Sequence, residues 1–145
     1  MGWKTWGFRA FALLSLGWLG FMLWGCLDET TQSSGLIARF WPWLAVQPYA
    51  DKVAHAGIHA ILASCLWLAG QCWARVHQRR WNWSASATVL ALCFAIGACI
   101  EVLQHFFTLT RNGDVTDAVA NALGALLAIS VWEVALRAWR LLRRH

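Results

Sequence analysis

The sequence predicts an all-α protein, a four-helix transmembrane bundle. Three observations predict it: four long apolar segments, a low share of charged residues, and basic residues concentrated on one side of those segments. Of the 145 residues, 59% are hydrophobic and 13% are charged, and the mean hydropathy is +0.49. A soluble domain of this length carries about twice that share of charged residues. We therefore expect the protein to act in or at a bilayer.

Each apolar segment is long enough to cross a membrane. A helix rises ~1.5 Å per residue, so about 20 residues cross the ~30 Å of hydrocarbon. The expected spans are Phe8–Cys26, Val53–Ala74, Ser84–Phe107 and Val115–Leu136. Because these spans nearly exhaust the chain, we expect a single integral-membrane domain over residues 1–145.

Lysine and arginine divide unevenly between the two sides of the spans. Nine of the twelve lie within residues 1–9, between the second and third spans, or after the fourth; the other three are Arg39, Lys52 and Arg111. The positive-inside rule then predicts a multi-pass membrane protein with both termini in the cytoplasm. The net charge of +5 therefore needs no nucleic-acid partner. Glu133, the one acid on the basic side, has Arg137 one helical turn away as a potential partner.

The connections between spans differ in character. The first outer loop turns aromatic toward its end, which favours an interfacial helix broken near Pro42 or, equally, an irregular loop with interfacial tryptophans. The residues that would share one face of that helix are Leu36, Ile37, Phe40, Trp41 and Leu44. Asn112-Gly113 predicts a tight turn, so spans three and four should be antiparallel neighbours. The first span offers no polar group beyond Ser15 and is expected to be peripheral.

Polar side chains gather at the outward ends of spans two, three and four. They are Asp51, Lys52, His55, His59, Glu101, Gln104, His105, Arg111, Asp114, Asp117 and Asn121. At ~1.5 Å per residue, His59, Glu101 and Asn121 should form a deeper layer. A rim above this layer should consist of His55, Gln104, His105 and Asp117. Spacings of three, four and seven residues place the groups of each helix on a common face. Charged groups near hydrocarbon are costly and are usually kept for function or for helix packing.

Most of these residues also have structural explanations. Asp51 and Asp114 lie where helix N-caps are expected, and Asp117 has the spacing of a capping box with Asp114. The cations can extend to lipid headgroups, and the amides can join neighbouring helices. Glu101 is harder to explain, because an ionised carboxylate at its depth costs about 2.5–3.5 kcal/mol unless it is paired or protonated.

The spacing of the polar residues resembles that of the VanZ-like family. The family pattern is Asp-Lys-x-x-His with a tyrosine four residues later, then Glu-x-x-Gln, then an arginine followed six residues on by Asp-x-x-x-Asn-x-x-Gly. The chain matches it, in a motif region of about residues 51–128, at Asp51, Lys52, His55, Glu101, Gln104, Arg111, Asp117, Asn121 and Gly124. It departs from it at His59, where tyrosine is usual, and at Ala128, where glycine is usual. The founding member is associated with low-level resistance to the glycopeptide teicoplanin. The resemblance therefore implies a role in the cell envelope and a location in the bacterial cytoplasmic (inner) membrane.

The preferred hypothesis is a polar site at the outer membrane face that binds an amphiphilic envelope molecule or a partner. The amphiphile would be a membrane lipid or a lipid-linked envelope precursor, with Lys52 and Arg111 holding its phosphate or carboxylate. The other expected binding residues are Asp51, His59, Gln104 and Asn121. A purely structural network that locks the helices is an alternative.

Two further alternatives involve chemistry or transport. An intramembrane enzyme acting on a phospholipid or lipid-linked substrate would use His55, Glu101 and Asp117 as acid–base groups. Proton or solute passage is disfavoured, because the inner halves of the spans offer few polar residues. No cofactor or metal is expected; the alternative ligand set consists of two helical pairs, His55 with His59 and Glu101 with His105.

Overall fold

The computed structural model describes residues 3–27, 42–108 and 114–143, and this part of the chain is all-α without strands. The helices are α1 (Trp3–Leu27), α2 (Pro42–Ala45), α3 (Ala50–Val76), α4 (Trp83–Phe107) and α5 (Val115–Leu142). Four of them, α1, α3, α4 and α5, are long and apolar enough to cross a membrane. The predicted four-helix transmembrane fold is therefore confirmed.

The spanning helices run past the ends predicted from hydropathy, α4 by a single residue. Helix α1 begins at Trp3 rather than Phe8, α3 begins at Ala50 rather than Val53, and α5 continues to Leu142 rather than Leu136. A helix keeps its backbone groups bonded internally, so nothing requires it to stop where the apolar residues stop. The extension of α3 matters for function, because it brings Asp51 and Lys52 onto the helix.

Helix α3 packs against all three other spanning helices, and its interface with α5 is the most extensive. Gly124 makes that interface close: a Cβ atom at this position would lie 1.9 Å from the carbonyl oxygen of Ala56. The bare surface of Gly124 therefore meets the backbone of α3. Helices α4 and α5 are in contact, as expected for neighbours joined by a short turn.

Helix α1 is not peripheral, contrary to expectation. Its Met22 side chain is 1% exposed, and its Trp18 Nε1 donates to the carbonyl of Ile58 on α3 at 2.9 Å. The carbonyl of Cys26 accepts a hydrogen bond from Gln104 Nε2 on α4 at 3.0 Å. Helix α1 therefore helps to fix the ends of α3 and α4 on which the polar side chains lie.

The first outer loop is described only from residue 42 onward. The one-turn helix α2 begins there, with Pro42 at the first helical position, where its missing N–H group removes no helical hydrogen bond. Trp43 on α2 is largely exposed. Leu36, Ile37, Phe40 and Trp41, the residues of the expected interfacial face, lie outside the described residues, as do Arg39 and the Asn112-Gly113 turn.

Candidate functional site

Polar side chains from α3, α4 and α5 meet where α3 begins, α4 ends and α5 begins. We call this group the polar cluster; its members are Asp51, Lys52, His55, Glu101, Asp114, Asp117 and Asn121. Glu101, Asp117 and Asn121 are buried, whereas about half of the side-chain surface of Asp51 and of Asp114 is exposed. The cluster thus has a buried floor and an open rim.

Glu101 forms the floor and accepts two hydrogen bonds from the α5 segment. Its Oε2 accepts the backbone N–H of Asp114 at 3.1 Å, and its Oε1 accepts Nδ2 of Asn121 at 3.3 Å. Asp114 is the N-cap of α5, so Glu101 takes the part that the third residue of a helix plays in an ordinary capping box. The glutamate that completes this capping box therefore comes from a neighbouring helix, α4. The expected capping-box role of Asp117 was therefore wrong.

Asp114 itself caps α5, as expected. Its carboxylate accepts the backbone N–H of Thr116 at 2.8 Å and the Thr116 hydroxyl at 2.8 Å. These bonds from Thr116, and then the ammonium group of Lys52, lower the pKa of Asp114 to about 2. Asp114 is therefore ionised at any pH near neutrality.

Lys52 joins α3 to the start of α5. Its Nζ lies 3.2 Å from Asp114 Oδ2 and also forms an ion pair with Asp117 Oδ1. We expected Lys52 to extend toward phosphate or carboxylate groups of a ligand, and about a third of its side chain, 36%, is indeed exposed. Two protein carboxylates nevertheless hold the ammonium group in place.

His55 lies at the centre of the polar cluster. Its Nδ1 is 3.2 Å from Asn121 Oδ1 and 3.9 Å from Glu101 Oε1. Its Nε2 is 3.9 Å from Asp51 Oδ2 and 3.8 Å from Asp117 Oδ2. The fold therefore brings together the three residues expected as acid–base groups. Glu101 faces Nδ1 of His55, and Asp117 faces Nε2.

The remaining expected binding residues lie around this centre. His59 is 2% exposed; its Nδ1 contacts the carbonyl of His55 at 3.2 Å, and its Nε2 has no hydrogen-bond partner among the described residues. Gln104 is buried and bonds to Cys26 of α1 rather than to the cluster. Arg111 lies outside the described residues.

Two expectations about individual residues need correction. Asp51 is not the N-cap of α3, because that position belongs to Tyr49 and Asp51 lies in the first turn. The alternative metal-ligand set does not converge, since His105 is exposed beside the ring of Phe106. In the described part of the chain, the potential ligand atoms that lie within 4.8 Å of one another belong instead to Asp51, His55 and Asp117.

A second buried polar group, which the sequence reasoning missed, lies toward the opposite end of the bundle. Glu133 is 6% exposed, and its Oε1 accepts from Trp67 Nε1 at 3.3 Å, from Trp81 Nε1 at 3.2 Å and from the Ser86 hydroxyl. Arg137, its expected partner, instead lies over the ring of Trp83 at 4.3 Å. The usable signal in the sequence was a lone carboxylate in an apolar span together with tryptophans, which supply N–H donors.

Comparison with known proteins supports the family resemblance seen in the sequence. No curated protein and no solved structure is significantly similar to the chain. The VanZ/LLP1 family model, in contrast, matches residues 3–136, which includes all four spanning helices except the last residues of α5. Six of the nine motif residues belong to the polar cluster: Asp51, Lys52, His55, Glu101, Asp117 and Asn121. The chain belongs to the VanZ/LLP1 family.

Proposed function

We propose that this protein binds the headgroup of an amphiphilic envelope molecule at the polar cluster, in the outer leaflet of a bacterial cytoplasmic membrane. The observation that carries the proposal is the buried floor and open rim of the cluster at the end of membrane-spanning helices. Polar groups at this depth are costly and are retained mainly where they serve a function. An amphiphile can place its headgroup at the rim while its tails remain in the lipid.

The distribution of basic residues supports the orientation of the protein in this proposal. Nine of the twelve lysine and arginine residues belong to the end of the bundle opposite the polar cluster. The positive-inside rule assigns that opposite end, with both termini, to the cytoplasm. The polar cluster then faces the outer side of the membrane, which agrees with the envelope role that family membership implies.

The charges of the cluster restrict the ligand. Its described members include four carboxylates but one lysine, Lys52. A headgroup phosphate or carboxylate would be attracted by Lys52 and repelled by the four acids. An anionic headgroup therefore needs a cation beside it at this site, whereas a headgroup with an amine brings its own.

Analysis of co-purifying lipids tests the proposal. The protein and its Lys52→Ala variant are purified in a mild detergent, and the retained lipids are identified by mass spectrometry. We expect one amphiphile class to be enriched over the bulk membrane in the wild type and lost in the variant. Arg80→Ala is the matched control, because Arg80 is an exposed cation at the opposite end. Lipid profiles that equal the bulk membrane in all three proteins would contradict the proposal.

The position of His55 favours an enzyme as the second candidate function. An imidazole between carboxylates is a common acid–base arrangement, and here Glu101 and Asp117 approach His55 within 3.9 Å and 3.8 Å. Incubating the purified protein with the enriched amphiphile distinguishes the two functions. A chemically altered headgroup supports an enzyme, and an unaltered one supports binding alone.

An effect on glycopeptide sensitivity is a further part of the proposal, carried by family membership. Expression of the chain in a teicoplanin-susceptible bacterium should raise the inhibitory concentration of teicoplanin. The Lys52→Ala variant should not raise it, whereas Arg80→Ala should. An unchanged inhibitory concentration with wild-type protein present in the membrane would remove this part of the proposal.

A further inference from the structure

We propose that Asp51, His55 and Asp117 bind one divalent transition-metal ion, of the kind represented by Zn²⁺, within the polar cluster. The inference depends on coordination geometry and is independent of the proposed amphiphile. Metal binding can be measured in detergent without added lipid, so the two proposals stand or fall separately.

The spacing of the three potential ligand atoms suits a single ion. His55 Nε2 lies 3.9 Å from Asp51 Oδ2 and 3.8 Å from Asp117 Oδ2, and all three atoms lie within 4.8 Å of one another. Ligands that bind Zn²⁺ at ~2.0–2.2 Å in a tetrahedron are roughly 3.4 Å apart. Shifts of a few tenths of an ångström would bring His55 Nε2 and each of the two carboxylate oxygens to this separation. The distances are, in contrast, too long for direct hydrogen bonds.

A chain of hydrogen bonds determines which nitrogen of His55 carries the proton. Glu101 accepts from Asn121 Nδ2 at 3.3 Å, which orients the Asn121 amide so that its Oδ1 is an acceptor. Since Asn121 Oδ1 lies 3.2 Å from His55 Nδ1, that nitrogen donates to it. A neutral imidazole with its proton on Nδ1 has a lone pair on Nε2. In the neutral form of His55, this lone pair faces the Asp51 and Asp117 carboxylates.

With His55 neutral, three acceptor atoms face one another and repel, and either a proton on Nε2 or a bound metal ion removes the repulsion. Histidines that bind metals usually donate their other ring N–H group to a carboxylate, carbonyl or water, which holds the ring in place. Asn121 and, behind it, Glu101 serve His55 in this way. Lys52 holds Asp117 through Oδ1, and this leaves Oδ2 directed at His55. The two oriented ligands thus have supporting contacts of the type found in metal sites.

The ligand types indicate the class of metal. Mg²⁺ and Ca²⁺ prefer oxygen ligands, whereas an imidazole nitrogen suits Zn²⁺ and related transition metals. Three protein ligands leave at least one position open for water or for an oxygen of a bound molecule. A divalent ion would also offset two of the negative charges in a cluster that has four carboxylates and one lysine. Asp51 has 47% of its side chain exposed, so an ion can enter from the rim.

Calorimetric titration with Zn²⁺ tests the proposal. The chain is purified with a tag that contains no histidine, stripped with a chelator and titrated in detergent with Zn²⁺ and, separately, with Mg²⁺. We expect one Zn²⁺ per chain and at least a tenfold weaker affinity for Mg²⁺. His55→Ala should weaken Zn²⁺ binding at least tenfold, and Asn121→Ala, which removes the support of His55, should weaken it about 10–100-fold. Folded wild-type protein that binds no Zn²⁺ would overturn the proposal.

His105→Ala is the matched control, because His105 is an exposed histidine near the same end of the bundle. We expect its affinity to equal that of the wild type; an equal loss in His105→Ala and His55→Ala would overturn the site. X-ray absorption of the Zn²⁺-loaded wild type needs no variant and gives a second readout. One imidazole and a shell of oxygen ligands support the proposal, whereas sulfur or several imidazoles contradict it.

Discussion

Two buried glutamates in the bundle accept hydrogen bonds in different ways. Glu101 uses both carboxylate oxygens, one for the backbone N–H of Asp114 and one for Asn121. Glu133 accepts from two indoles and a hydroxyl on a single oxygen, Oε1. A glutamine side chain has one acceptor oxygen and places an NH₂ group where the second was. The same substitution should therefore have unequal effects at the two positions.

We expect Glu101→Gln to destabilise the protein by about 1–3 kcal/mol, because one buried N–H group would face another donor. Glu133→Gln can keep all three bonds on one oxygen and serves as the control, with a clearly smaller loss. Unfolding in mixed micelles, followed by circular dichroism, gives both free energies. Equal losses would mean that the acceptor geometry is not the cause. Lost activity in Glu101→Gln alone is consequently no proof of acid–base chemistry.

The ionised form of Asp114 should contribute a pH-dependent part of stability. Since its pKa is lowered to about 2, chiefly by the Thr116 bonds, the contribution is present above the unfolded-state pKa of ~3.9 and is lost as pH falls through about 2. Asp114→Asn keeps a capping oxygen but has no charge. The wild type should be the more stable protein at pH 6, and thermal unfolding should show this difference shrinking steadily between pH 4 and pH 2. A difference that is constant down to pH 2 would contradict the assignment.

At the scale of elements, the contact between α3 and α5 depends on the absence of a side chain at Gly124. A Cβ atom there would lie 1.9 Å from the oxygen and 2.6 Å from the carbon of the Ala56 carbonyl. Both neighbours are backbone atoms of a helix, so they cannot rotate away as the end of a side chain can. The two helices must separate to admit even a methyl group.

We expect Gly124→Ala to cost about 1–3 kcal/mol in stability, as overpacked cores do. The separation of α3 from α5 should also weaken the Lys52–Asp117 pairing across the same interface. Gly57→Ala is the control, since a Cβ atom at Gly57 meets nothing within 4 Å, and alanine improves helix propensity by up to ~1 kcal/mol. Thermal unfolding of the two variants in detergent compares them directly. A loss in Gly57→Ala as large as in Gly124→Ala would point to a general effect of alanine.

At the scale of the whole molecule, four spanning helices place both termini on one side of the membrane. A reporter active only in the cytoplasm, fused to the tail or inserted in the 77–82 loop, should be active at both places. The physical reason is the excess of basic residues at this end. A tail reporter active only outside the cell would reverse the orientation and place the polar cluster in the cytoplasm.

The sequence predicted the four spans and the polar residues that gather at one end, because both follow from hydropathy and helical periodicity. It did not predict which side chains pair. The loop between α4 and α5 determines one neighbour relation, but nothing in the sequence specifies that α3 lies against α5. The bonds from Lys52 to Asp114 and Asp117, the Gly124–Ala56 contact and the indole bonds to Glu133 all depend on that relation. The prediction that Arg137 pairs with Glu133 was wrong because it relied on spacing within one helix. The hydrogen-bond donors to Glu133 come instead from residues that are distant in the sequence.

The hydrogen bonds of Glu101 also bear on how the chain enters the membrane during synthesis. Both of its donors, Asp114 and Asn121, follow it in the sequence, so they emerge from the ribosome after α4 is complete. The carboxyl group on α4 therefore lacks both bonds until the start of α5 has been made. Helix α4 has the highest mean hydropathy of the four spans, and its apolar residues favour the membrane even before those bonds form. Helix α5 and its N-cap then supply the donors, so the fourth spanning helix completes the hydrogen bonding of the carboxyl group on the third.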